Sequence, residues 1–100
     1  MKEKLLKIIQ HYGPRHQQRK LQEEVGELLE AITIHELKKS VEYDIPLTEI
    51  IGTKEHIIEE IGDVLNVVEQ FMYYYEIDIN DVIESKHKKV DRQLKRMEEE

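Results

Sequence analysis

Apolar residues recur along this chain three or four positions apart, the spacing that lines one face of an α-helix. Leu21, Val25, Leu28, Leu29 and Ile32 make one such stripe. Ile57, Ile61, Val64, Leu65, Val68, Phe71, Met72 and Tyr75 make a second, and Ile83, Val90, Leu94 and Met97 a third. Alternation is nowhere sustained, so no strand is expected. The helix breakers are few: Gly13-Pro14 near the start, then Pro46 and Gly52. The pattern predicts a short helix over about 2–11, a long one over about 15–39 and a loop over about 41–53. A second long helix is expected over about 54–76 and a terminal helix over about 80–97, capped by Asn80-Asp81. The expected fold class is all-α, an antiparallel helical bundle of about four helices.

The two long helices carry the same block of sequence. Glu23-Glu24-Val25-Gly26-Glu27-Leu28-Leu29 is echoed by Glu59-Glu60-Ile61-Gly62-Asp63-Val64-Leu65, each position identical or chemically conservative. A mid-helix glycine costs about 1 kcal/mol relative to alanine. Its presence at the same place in both blocks predicts close backbone approach there, around a local two-fold relation. Two copies are too few for a solenoid.

Length and charge narrow the possibilities. One hundred residues make at most one small domain, here taken as 1–100, and a core shared between subunits is a natural way to stabilise it. A homodimer or homotetramer is therefore expected. There is no cysteine, which removes disulfides, thiolate zinc and cysteine nucleophiles. The N-terminus has no apolar run suited to a signal peptide, and no segment is long and apolar enough to span a membrane. A cytoplasmic location is expected. The net charge of −7 argues against a general nucleic-acid binder. An acidic chain that handles phosphates would need divalent cations, and much of its acidity would lie where they bind.

The acidic residues are arranged to do this. Residues three apart on a helix face the same way, so Glu24 pairs with Glu27 and Glu60 with Asp63. By phase Glu60 falls among Val64, Val67 and Phe71, inside the apolar stripe, and Glu24 borders Leu21 and Leu28. A lone ExxE pair is ordinarily solvated helix surface. Carboxylates on a core-facing surface, however, are costly unless paired or bound to metal. With the helices antiparallel, four carboxylates converge and raise one another's pKa until a cation neutralises them. Oxygen-only donors suit Mg²⁺ or Mn²⁺, and inward-facing carboxylates on bundle helices can hold two metals. Neither Glu24 nor Glu60 is followed three places on by histidine, which disfavours a di-iron site. Glu23 and Glu59 point further outward.

These residues carry a resemblance. Glu23-Glu24-x-x-Glu27 followed by Glu60-x-x-Asp63 is similar to the EExxE…ExxD signature of the MazG-like all-α nucleoside triphosphate pyrophosphohydrolases. Tyr12-Gly13-x-x-His16-Gln17-x-x-Lys20-Leu21 leads into the first motif and His56-Ile57-Ile58-Glu59-Glu60 into the second. Lys86-x-x-Lys89-x-x-Arg92 resembles the family's basic tail motif. The likeness runs over about residues 12–97. It implies a bundle completed by oligomerisation, with Mg²⁺ held by Glu24, Glu27, Glu60 and Asp63. It also implies hydrolysis of a ribo- or deoxyribonucleoside triphosphate to the monophosphate and pyrophosphate. The gap between the acidic motifs is longer than in the compact members, and Val90 stands near the place of an asparagine often found in the family's last helix.

In this reading Glu23 orients the attacking water or takes its proton. Lys86, Lys89 and Arg92 neutralise phosphate oxygens, within a chain or across a subunit boundary. By phase only Lys86 borders the apolar stripe, and basic residues are also common near helix C-termini for electrostatic reasons. Gln17 and Lys20 could reach the nucleotide. The five histidines show no metal-ligand spacing, and only His16 and His56 draw interest through the resemblance. Tyr73, Tyr74 and Tyr75 are expected in an interface or core. No GxxxxGK[ST] loop is present. Phosphoribosyl-ATP pyrophosphatase is a related alternative, and a non-catalytic helical module that binds metal or a partner is a different one.

Overall fold

A computed structural model describes residues 1–40 and 46–100. Four helices follow in order: α1 (Lys2–Tyr12), α2 (Pro14–Ser40), α3 (Leu47–Tyr74) and α4 (Ile79–Glu99). Among the described residues there is no strand, as the periodicity predicts. Gly13 makes the first corner with φ 87°, a conformation that glycine adopts without steric cost. Pro14 then opens α2, where its missing N–H is no loss.

Three cross-helix pairs fix the course of α2 against α3. His35 Nδ1 lies 2.7 Å from Thr53 Oγ1, Glu24 and Glu60 approach midway, and Gln17 Nε2 donates to Gln70 Oε1 at 2.8 Å. Positions that fall on one helix rise on the other, so the two are antiparallel. α1 lies mainly against α3, burying Leu5 and Ile9.

The long helix α3 begins earlier than the sequence pattern predicts. The expected loop over 41–53 extends no further than Pro46, and its first five residues lie outside those described. Pro46, with φ −54° and ψ 136°, stands at the N-cap, and its carbonyl accepts from the Glu49 and Ile50 amides. Glu49 in the first turn favours the helix N-terminus and pairs with Lys38 on α2. Gly52, a breaker by its residue type, sits exposed within the helix. Its cost of about 1 kcal/mol is offset by these ties to α2.

The link from α3 to α4 is a Schellman turn. The Ile77 amide donates to Met72 O (2.8 Å) and the Glu76 amide to Tyr73 O (3.2 Å). Glu76 takes the left-handed conformation, φ 56°, that such a turn requires. Asp78, not Asn80-Asp81, caps α4: its carboxylate accepts from the Asn80 amide at 2.8 Å.

The apolar stripes do not all face inward. On α2 the buried positions are Gln17, Glu24 and Ala31, while Val25, Leu29 and Ile32 are exposed. On α3, Glu60, Val67 and Gln70 are buried, whereas Ile61 and Leu65 are exposed. α4 buries no residue at all. An apolar face wider than one neighbouring helix can cover leaves its outer edge free. The glycines Gly26 and Gly62 lie on this outer side, with nothing among the described residues within 4 Å of where a Cβ would stand. The close backbone approach expected from them does not occur within one chain.

Candidate functional site

Halfway along the α2–α3 pair the two repeated blocks meet. Glu24, Glu60 and Asp63 each bring a carboxylate oxygen within 4.8 Å of the others. Helical phase places them there: Glu24 lies two turns beyond Gln17 on the buried face of α2, and Glu60 two turns before Val67 on that of α3. Glu24 and Glu60 are buried and Asp63 is exposed, so the cluster sits in a groove with one open side. Glu27 lies outside the tightest group, yet its carboxyl faces both Glu24 and Glu60. The Glu24 carboxylate, then desolvation, then Glu60 push its pKa above the ordinary carboxylate value.

Like charges so placed are unfavourable unless something compensates them. Lys20 Nζ lies 3.0 Å from Glu24 Oε1 and 3.9 Å from Glu23 Oε2. The hydrogen bond and charge of Glu24 raise the Lys20 pKa. His56 Nε2 lies 3.8 Å from Glu60 Oε1. The second oxygens, Glu24 Oε2 and Glu60 Oε2, are buried with no hydrogen-bond partner among the described residues. Buried polar atoms are nearly always paired, and exceptions call for a ligand, water or ion. Two orphaned carboxylate oxygens beside a third carboxylate fit a hard divalent cation in chemistry and in charge.

The remaining residues singled out from sequence fall into two groups. Glu23 and Glu59 face solvent, as their phase predicts, with side chains 66% and 77% exposed. Lys20 stands at the acidic cluster, and Gln17 lies one turn away, buried and hydrogen-bonded to Gln70. Lys86, Lys89 and Arg92 are exposed on α4, a helix with no buried residue. One chain alone does not bring them to the carboxylates.

Three further residues of the site are only faintly marked in the sequence. His56 precedes Glu60 by four, as Lys20 precedes Glu24, a correspondence legible once the repeat is extended by one turn. Gln70 and Asn66 continue a polar chain from Gln17. Gln70 is 1% exposed, and only its polarity within an apolar stripe could have marked it.

The MazG nucleotide pyrophosphohydrolase domain family matches residues 13–97, which takes in both acidic blocks and the basic tail. The chain belongs to that family. Neither the curated proteins nor the solved structures gave a match.

Proposed function

We propose that the protein is a Mg²⁺-dependent hydrolase that converts a ribo- or deoxyribonucleoside triphosphate to its monophosphate and pyrophosphate. The observation that carries this reading is the pair of buried, unpartnered oxygens of Glu24 and Glu60 beside Asp63. A purely structural bundle gains nothing from keeping such acids in its groove, because neutral or apolar residues would stabilise it more.

Glu24, Glu27, Glu60 and Asp63 would hold the cation, Mg²⁺ or in its place Mn²⁺. Bound there, it would neutralise phosphate charge and lower the pKa of a water. The chain's own residues supply the rest. Lys20, beside Glu24, is placed to exchange its carboxylate partner for a phosphate oxygen. Glu23, exposed on the next position of α2, takes the proton of the attacking water. Attack at the α-phosphorus expels pyrophosphate, and phosphoryl transfer of this kind depends on positioning and charge stabilisation rather than on a covalent group.

Completion of the site rests on assembly. The exposed edges of the α2 and α3 stripes and an α4 that buries no residue together favour a homodimer or homotetramer. In that assembly the α4 of a second copy carries Lys86, Lys89 and Arg92 to the phosphates. No helix among the described residues is long and apolar enough to cross a membrane, in keeping with a cytoplasmic location. The test is a nucleotide panel with pyrophosphate detection, run with and without Mg²⁺. Metal-dependent pyrophosphate release from at least one nucleotide supports the reading, and its absence across the panel favours a non-catalytic module.

A further inference from the structure

One turn from the acidic cluster, on both helices, lies a cavity of about 370 Å³, within the usual range of small-molecule pockets. Asn66 follows Asp63 by three residues and Lys20 precedes Glu24 by four, and both line this cavity. Lys20, which lines it, also reaches Glu24 at 3.0 Å, so one side chain touches both the cavity and the carboxylates. Ile8 and Val67 supply apolar wall, and Tyr12 and His16 stack on each other beside it, centroids 4.8 Å apart and planes 16° apart.

A hydrogen-bonded chain of amides runs along the wall of the same cavity. His16 Nδ1 lies 2.8 Å from Gln17 Oε1, Gln17 Nε2 donates to Gln70 Oε1 at 2.8 Å, and Gln70 Nε2 donates to Asn66 Oδ1 at 2.9 Å. Gln17 and Gln70 are 4% and 1% exposed, so their partners are fixed by the interior, whereas Asn66 is exposed. In this sense of the chain, Asn66 keeps an N–H donor free for a ligand. Turning over all three amides and moving the His16 proton to the other ring nitrogen preserves every bond. Asn66 then offers its carbonyl oxygen, an acceptor, instead.

We infer that this cavity is the base subsite and that Asn66, set by the reversible amide chain, reads either a carbonyl or an amino edge of the nucleobase. The inference rests on the nucleotide-hydrolase reading and deepens it, because it states what the site recognises. An apolar, aromatic-edged cavity suits a flat heterocycle. The substrate class is then broad with respect to keto or amino character: members of a pair that differ only in that group are accepted alike.

The test uses the full chain and two isosteric pairs, ATP with ITP and CTP with UTP. The wild type is expected to show kcat/KM values within about threefold inside each pair. Asn66→Asp, at an exposed position that should not disturb folding, offers acceptors only. It should shift each pair toward the amino base by roughly tenfold, the scale of one hydrogen bond turned into a repulsion. Asn66→Ala should lower both members equally. An unchanged amino-to-carbonyl ratio in Asn66→Asp overturns the inference while leaving hydrolysis intact. Cytidine and uridine, which carry no phosphate, give an independent readout by NMR. Shifts of the Tyr12 and His16 ring signals support the subsite even if no nucleotide is hydrolysed, and no shift at millimolar nucleoside overturns it.

Discussion

Lys20 Nζ stands 3.0 Å from Glu24 Oε1, one turn back along α2, so a cation of the chain's own already compensates one of the buried acids. His56 stands in the matching position before Glu60, but at 3.8 Å and with a charge that depends on its protonation. The two halves of the repeat thus carry equal acidity and unequal compensation.

Removing that compensation should therefore matter most without metal. Lys20→Met is expected to destabilise the metal-free protein by about 1 kcal/mol, a figure kept small because the lysine is half-exposed. Added Mg²⁺ should shrink the deficit, since a bound cation takes over the role. Thermal melts with and without Mg²⁺ check this, and a deficit unaffected by metal would remove Lys20 from the account.

The acids themselves should behave in the opposite sense. Glu60→Gln and Asp63→Asn are each expected to abolish measurable Mg²⁺ and Mn²⁺ binding by calorimetric titration. Metal-free Glu60→Gln should nevertheless melt higher than the wild type, because a buried oxygen without a partner no longer carries charge. Unchanged metal affinity in both variants would dismantle the proposed centre.

Glu27 sets a pH dependence whose sign is fixed by its raised pKa. The folded state holds that proton more tightly than the unfolded chain does, so the resulting stability is fully present below the ordinary carboxylate value of 4.5. It is lost as pH rises through the higher folded value. Metal-free wild type should therefore gain stability relative to Glu27→Gln as pH falls through that window. Urea melts of both proteins across the window test it, and a stability difference that does not move with pH would contradict the crowding of Glu27 by Glu24 and Glu60.

Assembly is tested at the exposed apolar edge of the α2–α3 pair. Leu65 is 49% and Leu29 60% exposed in a single chain, and both flank the open glycines. Leu65→Lys should convert a dimer or tetramer into smaller species by light scattering. Gly26→Ala and Gly62→Ala should each stabilise an isolated chain by about 1 kcal/mol. A loss of assembly from either would instead locate close subunit packing at the glycines. A wild type that is monomeric at micromolar concentration would rule out the shared site.

Much of this was legible in the sequence because helical phase is a local property. The positions of Glu24 and Glu60 on the buried faces, and the outward turn of Glu23 and Glu59, follow from spacing alone. The start of α3 was not legible, because the ties that carry helix through Gly52 come from Lys38 and His35 on another element. Nor was the exposure of Val25 and Leu29, since phase marks a face as apolar without saying whether this chain or another covers it. The chain from Gln17 through Gln70 to Asn66 joins residues 53 positions apart at its longest step, beyond the reach of any periodicity.

The central claim concerns the bond that breaks, and hydrolysis in ¹⁸O-labelled water reads it directly. The wild type with Mg²⁺ and a nucleoside triphosphate should release pyrophosphate and a nucleoside monophosphate that carries the label. Glu24→Gln, Glu27→Gln or Glu60→Gln should abolish both products. Label appearing in orthophosphate, with nucleoside diphosphate and no pyrophosphate, would place attack at the γ-phosphorus and contradict the account.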